Sequence, residues 1–130
     1  MTRDEILNMP AGPEMDVLIA EKIMGWLNRH DHWWRGENYD NIAGWSVCEG
    51  PDPFLGHDVF RPSTDFAAAW QVVEKMREKS IAVTITTMGQ RDQVGVFAFA
   101  IYKSTTIATV WESTAPLAIC RAALLAVVTK

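Results

Sequence analysis

Hydrophobic residues recur at helical spacing in the first and middle parts of the chain. From Met15 to about Arg29 the apolar residues form one face and charged residues gather on the other, which predicts a helix. A second helix is predicted from about Thr64 to Lys79, with Ser63 as its N-cap. The residues expected on its buried stripe are Phe66, Ala69, Trp70, Val73 and Met76.

The last helix is predicted to begin after Ser113 and Thr114, with Pro116 in its first turn, where a missing N–H is harmless. Because this helix is apolar nearly all round, we expect it to be the most buried one, partly against a second subunit. Its charged residue Arg121 can extend to solvent, pair with Glu112 or a partner's acid, or reach an anion. A structural role for Arg121 is favoured.

Between the second and last helices, the pattern alternates as in strands. Three strands are predicted over Ile81–Thr86, Val94–Tyr102 and Thr106–Glu112, with turns at Met88–Asp92 and Lys103–Thr105. The short connections favour an antiparallel meander.

The middle strand indicates how the layers are arranged, because both of its faces are apolar. One face carries Phe97, Phe99 and Ile101, and the other carries Val96, Ala98 and Ala100. A strand apolar on both faces needs cover on both faces, and the helices are the available cover. The sequence therefore predicts an α+β fold, namely an α/β/α sandwich with a central antiparallel sheet of three to four strands and three helices. Residues 1–130 are expected to form a single domain.

An insertion at about 28–62 fits no helical or strand period but is rich in aromatic residues. Within it, Trp45–Cys48 could add a short strand. Long segments of this kind in compact domains are usually functional or disordered, and the aromatic content indicates that this one packs on something.

Composition and charge exclude several classes of protein. The chain has 130 residues, is 48% hydrophobic and carries a net charge of −4, which excludes a disordered tail and argues against general nucleic-acid binding. Cys48 and Cys120 lie in unlike contexts and are expected to be reduced thiols, as in a cytosol. We see no signal peptide, and the apolar run of the last helix is too short to span a membrane, so a cytoplasmic location is expected.

Three stretches together resemble the phage ABA sandwich domain family, small proteins of phages and prophages. They are Met9–Trp26, Ser63–Met76 and Thr114–Val127. The resemblance implies an α/β/α layering and an accessory gene product, and it implies no catalytic motif. If the gene is a phage gene, the expected location is the host cytoplasm.

Neither a metal centre nor a catalytic centre is indicated. His30 and His32 form one His-x-His pair without a second pair at metal-ligand spacing, so no metal or cofactor is expected. Motifs for a nucleophile elbow, a zinc protease or a phosphate-binding loop are missing from the sequence, which favours a non-enzymatic protein.

The most distinctive cluster is Trp33-Trp34-Arg35, because indole rings stack on nucleobases and a guanidinium holds phosphate. The alternative is that these aromatic side chains anchor the insertion to the body of the protein, which is their commoner role. The N-terminus of the last helix adds a possible anion site. The candidate ligand-binding residues are Trp33, Trp34, Arg35, Trp45, Arg61, Ser113 and Thr114.

The sequence is compatible with two functions. In the first, the protein is a non-enzymatic phage accessory protein that sequesters a small anionic, nucleotide-derived host signalling molecule in counter-defence. In the second, it is an adaptor that docks on a host or phage protein as a small oligomer, without a small-molecule ligand. A homo-oligomer is expected in either case, and binding to a membrane is expected in neither.

Overall fold

A computed structural model describes residues 2–25, 27–29, 32–34, 44–46, 58–90 and 93–129, the short strands before residue 60 by their backbone. The helices are α1 (Arg3–Asn8), α2 (Pro13–Leu18), a π-helix (Ile19–Ile23), α3 (Phe66–Glu78) and α4 (Ala115–Thr129). The first strands are β1 (Leu27–Arg29), β2 (His32–Trp34), β3 (Gly44–Ser46) and β4 (Asp58–Val59). The later strands are β5 (Ile81–Gln90), β6 (Gln93–Tyr102) and β7 (Thr105–Glu112).

The predicted antiparallel meander is confirmed, with strand order β5-β6-β7. The ladder between β5 and β6 runs without interruption from Ile81 opposite Tyr102 to Gln90 opposite Gln93, so β5 is longer than its pattern indicated. The second hairpin turns at Lys103 and Ser104, which both have positive φ. Two successive residues at positive φ match the right-handed twist of the flanking strands.

One face of this sheet, the first face, forms the core together with the helices. Val83, Ala98, Ala100 and Val110 are buried there, and α3 and α4 pack on the sheet. The buried apolar cluster continues from these strands into the helices as a single core. The α+β architecture, with helices packed on an antiparallel sheet, is confirmed.

The opposite face of the sheet, the second face, carries the other half of each alternating strand. On β6 it presents Phe97, Phe99 and Ile101, which are half-buried, whereas Thr84 and Trp111 of the flanking strands are exposed. Within the described residues, α3 and α4 pack on the first face, so the layer expected over the second face is not among them.

Helix α4 is the most buried helix of the described chain, as predicted. All nine residues from Ala118 to Ala126 are buried, enclosed by the sheet, by α3, by α1 and by the π-helix. The expectation of an oligomer rested on the apolar surface of α4, and elements of the same chain cover that surface. The homo-oligomer therefore stays a prediction. Arg121 pairs with Glu112, one of the predicted alternatives, and also donates to the Met9 carbonyl.

The first predicted helix ends earlier than its apolar spacing indicated. It consists of α2 and the π-helix, and Gly25 follows with φ +71°, a left-handed conformation that glycine adopts without strain. Leu27 then begins β1, so the prediction that residues up to Arg29 are helical is wrong. The single glycine stops the helix although the apolar spacing continues past it.

The second predicted helix is confirmed as α3, but its N-cap and its buried stripe differ from the prediction. The N-cap is Asp65, whose carboxylate accepts the Ala67 N–H at 3.3 Å. The buried residues are Ala68, Ala69, Val72 and Met76. Phe66 and Trp70 are 48% and 46% exposed, because they lie on the side of α3 that faces away from the core.

A further helix, α1, was not predicted, because Pro10 and Gly12 mark the N-terminal segment as an arm. Thr2 and Glu5 form a reciprocal capping box at its start, and Ile6 is buried in the core. This short arm is therefore part of the folded body.

Candidate functional site

The tryptophan-rich insertion contains a second sheet with the strand order β1-β2-β3-β4. Strands β1 and β2 form a hairpin, β2 pairs antiparallel with β3, and β3 pairs parallel with β4. In the backbone register, Trp33 lies directly opposite Trp45, and Trp34 lies opposite Gly44. Positions directly opposite in an antiparallel ladder share a face of the sheet. Trp33 and Trp45 therefore share one face of this small sheet, whereas Trp34, the next position of β2, belongs to the other face, and Arg35 lies outside the described residues.

Arg61 follows β4 closely and begins the turn that leads into α3. Its carbonyl accepts the N–H groups of Thr64 and Asp65 at 3.1 and 2.8 Å. Its half-buried side chain is close enough to Asp16 for its positive charge to act on that carboxyl group. Arg61 therefore joins the end of the small sheet to the buried polar group described next.

Asp16, Ser63 and Gly12 form a buried polar cluster that was not predicted from the sequence. Asp16 is only 2% exposed, and its carboxylate accepts the Ser63 N–H at 2.9 Å. The Ser63 hydroxyl oxygen accepts the Gly12 N–H at 3.0 Å, which holds the start of α2 against the turn before α3. Burial raises the pKa of Asp16, although the Ser63 hydrogen bonds and the Arg61 charge act in the opposite direction. Ser63 is thus a link between segments and not the expected N-cap.

Ser113 and Thr114 lie between β7 and α4, and both are exposed. The Thr114 carbonyl accepts the Ala118 N–H at 3.1 Å, which makes Thr114 the residue from which α4 starts. They belong to the connection after the larger sheet, whereas the tryptophan positions belong to the smaller one. A shared site for the two groups stays a prediction.

A shallow pocket of about 370 Å³ lies beside α1 and α2. Its lining residues are Glu5, Asn8, Met9, Pro10 and Glu14. Two carboxylates repel an anion, so this pocket does not suit the ligand class expected from the tryptophan and arginine residues.

The described residues contain no group of three or more His, Cys, Asp or Glu side chains placed to hold a metal ion. The His-x-His pair and Cys48 are outside the side chains that the structure describes. Cys120 is buried in α4, and burial together with the negative charge of Asp16 raises the pKa of its thiol. A buried, protonated thiol is a poor nucleophile.

Two groups of exposed aromatic side chains were not predicted as candidate sites. Phe66 and Trp70 stack on the outer side of α3, with ring centroids 6.2 Å apart. On the second face of the larger sheet, Phe97 lies 4.5 Å from Trp111 between ring centroids. The signal for the second group was in the sequence, because Phe97 and Phe99 of β6 face away from the core, whereas Val96, Ala98 and Ala100 of the core face are small.

In the residues that the structure describes, the fold is that of a small α+β domain. The family model of the phage ABA sandwich domain matches residues 17–124, which is most of the chain. The protein therefore belongs to the phage ABA sandwich domain family, as its sequence pattern indicated.

A solved structure gives an independent comparison. The chain is similar to a phage protein from Bacillus cereus ATCC 14579, known from a 2.0 Å crystal structure. The two are 27% identical, the match covers 91% of this chain and 93% of the other, and the TM-score is 0.58. The comparison with curated proteins gave no match. In the part of the chain that the structure describes, none of the helices has the length and apolar character required to span a membrane.

Proposed function

We propose that this protein is a non-enzymatic phage accessory protein that binds and sequesters a small anionic, nucleotide-derived molecule of the host. The host cytoplasm is the proposed site of action, where such a molecule would act as a signal in defence. Sequestration requires enclosure and affinity and no bond making, which agrees with a sequence free of catalytic motifs.

The observation that carries the proposal is the backbone register that pairs Trp33 with Trp45. Two indole-bearing positions on one face of a small sheet suit stacking on nucleobases, for about 1–3 kcal/mol per base. Arg35 directly follows β2, and Arg61 follows β4 with one residue between them. Arg61 lies close to the end of β4, where its guanidinium would suit a phosphate of the same ligand, and Arg35 is a second candidate by its place in the sequence. Membership of a phage family supports an accessory role.

The test is a thermal-shift screen of the whole protein with mono-, di- and cyclic nucleotides, followed by calorimetric titration of any hit. A ligand at 100 times its Kd should stabilise the protein by about 2.7 kcal/mol, which raises Tm by several degrees in a domain of this size. Trp33→Ala with Trp45→Ala should abolish the shift while leaving Tm of the free protein nearly unchanged.

Trp70→Ala is the matched control, since Trp70 lies on α3 and is 46% exposed. It should leave the ligand-induced shift intact. If no nucleotide changes Tm, or if the double replacement unfolds the protein, the tryptophans act as anchors and the proposal fails.

The second candidate is an adaptor that docks on a host or phage protein as a small oligomer. The stacked, half-exposed pair Phe66 and Trp70 favours it, since exposed aromatic side chains often dominate protein interfaces. Affinity purification from phage-infected cells should then recover a partner with the native protein and lose it with Trp70→Ala. Recovery that is unchanged by Trp70→Ala would exclude this surface.

A further inference from the structure

The second face of the larger sheet presents aromatic rings next to the hydroxyl groups of threonine side chains. The strand register places six of these residues in two rows that cross the three strands, Thr84–Phe99–Thr109 and Thr86–Phe97–Trp111. We call these six residues the aromatic face. Its rings form one continuous group, since the centroids of Phe97 and Phe99 are 5.9 Å apart with the ring planes inclined by 19°.

Trp111 lies against the backbone of the neighbouring strand. A Cβ atom placed on Gly95 would come within 2.6 Å of Cζ2 of Trp111, so the missing side chain of Gly95 makes room for the indole. The sheet thus covers part of the indole, and Trp111 is still 38% exposed. An indole supported in this way is pre-organised to stack on a flat ligand, because little conformational freedom is lost on binding.

The charge of the aromatic face restricts its ligand. Its six side chains are threonine, phenylalanine and tryptophan, and none of them ionises near neutral pH. Proteins that bind nucleic-acid strands neutralise the phosphates with lysine and arginine. In the described chain this face therefore suits an uncharged ligand better than a nucleic acid.

The size of the face restricts its ligand further. Two rows that cross three strands about 4.8 Å apart give a patch of roughly 14 Å by 13 Å, or about 180 Å² in projection. A stable protein interface buries about 800 Å² on each partner. A globular protein, including a second copy of this chain, would thus need contacts well beyond the aromatic face.

We propose that the aromatic face binds a neutral β-linked oligosaccharide. Sugar rings present flat surfaces of C–H bonds that pack on the electron-rich faces of aromatic rings. The exposed hydroxyl groups of Thr84, Thr86 and Thr109 lie beside those rings and can exchange hydrogen bonds with sugar hydroxyls. None of its six residues belongs to the insertion at about 28–62, so this inference does not depend on the function proposed above.

The test is a titration of the full chain with cellohexaose and with chitohexaose, followed by the indole N–H signals in ¹H–¹⁵N spectra and by calorimetry. The Trp111 signal should shift progressively with at least one of the two sugars, whereas the Trp70 signal should not. Trp111→Ala should weaken binding at least tenfold, and Trp70→Ala should leave it unchanged.

Thr86→Val gives a second variant that removes one hydroxyl group and keeps the shape of the side chain, so it tests the site even if Trp111→Ala fails to fold. It should weaken binding severalfold. The proposal is overturned if neither sugar shifts the Trp111 signal, or if Thr86→Val binds as the native protein does. A shift of Trp111 with a thymidine oligonucleotide in place of the sugars also overturns it and assigns the face to single strands.

Discussion

The ion pair between Arg121 and Glu112 provides a quantitative test of the packing. Arg121 is 8% exposed within the apolar helix α4, and its guanidinium is held by the Glu112 carboxylate and the Met9 carbonyl. Its Nε atom is buried without a hydrogen-bond partner. The charge is therefore compensated almost entirely by Glu112, and we expect Glu112→Gln to leave a buried cation without a counter-charge.

Removing one partner of a buried ion pair typically costs 3–5 kcal/mol. The amide oxygen of Gln still accepts a hydrogen bond, so we expect about 3 kcal/mol for Glu112→Gln, which lowers Tm by roughly 10 °C. Arg121→Met should cost about 2 kcal/mol, because the carboxylate left behind at Glu112 is partly accessible to water and the Met9 carbonyl loses its donor. The double variant should also cost about 2 kcal/mol, since without the cation nothing at Glu112 requires a charge.

The assay is urea unfolding of the four proteins in a double-mutant cycle, at one pH and one salt concentration. The control is Glu78→Gln in the exposed pair Lys75–Glu78, whose nitrogen and oxygen atoms are 3.0 Å apart. An exposed pair of this kind contributes about 0–1 kcal/mol. If the double variant loses the sum of the two single losses, or if Glu112→Gln costs no more than Glu78→Gln, the argument for an electrostatic link is refuted.

Three further outcomes follow from the packing and the buried groups. Gly95→Ala should cost about 1–3 kcal/mol by urea unfolding, because the new Cβ would meet the Trp111 ring at 2.6 Å and the Glu112 carbonyl oxygen at 2.8 Å; an unchanged midpoint would contradict the close approach. The raised pKa of Asp16 means that its contribution to stability is full below the pKa of the unfolded chain and is lost as pH rises through the folded pKa. Asp16→Asn should therefore gain stability relative to the native protein as pH rises above the ordinary aspartate pKa of about 4, and a difference in unfolding free energy that stays constant with pH would contradict this. Cys120 should react with iodoacetamide only on unfolding, and fast alkylation of Cys120 in the native protein, located by peptide mass spectrometry, would show that α4 is not packed as described.

The larger sheet and α4 could be predicted from sequence because their patterns are local. Alternation along β5 and the short turn at Lys103 and Ser104 specify a meander without information from other segments. The apolar character of α4 likewise indicated burial. It did not indicate what covers the helix, and the cover proved to come from the same chain.

The polar cluster and the exposure of Phe66 and Trp70 could not be predicted, since they depend on contacts between distant segments. Ser63 is a good N-cap by its position, but it serves instead to join Gly12 and Asp16. Trp70 is exposed because the rest of the core packs on a different side of α3. The spacing of apolar residues along a helix does not show which side the core will contact. Of the candidate site, the sequence identified the tryptophans, and the backbone register added which of them are neighbours.

The most direct test of the proposed function is to titrate the native protein with a panel of cyclic dinucleotides while recording its indole N–H signals, assigned by single Trp→Phe replacements. The account predicts that one member of the panel shifts the signals of Trp33 and Trp45 together, at the same ligand concentration, while that of Trp70 stays in place. Spectra in which the Trp33 and Trp45 signals do not respond to any member of the panel would contradict it.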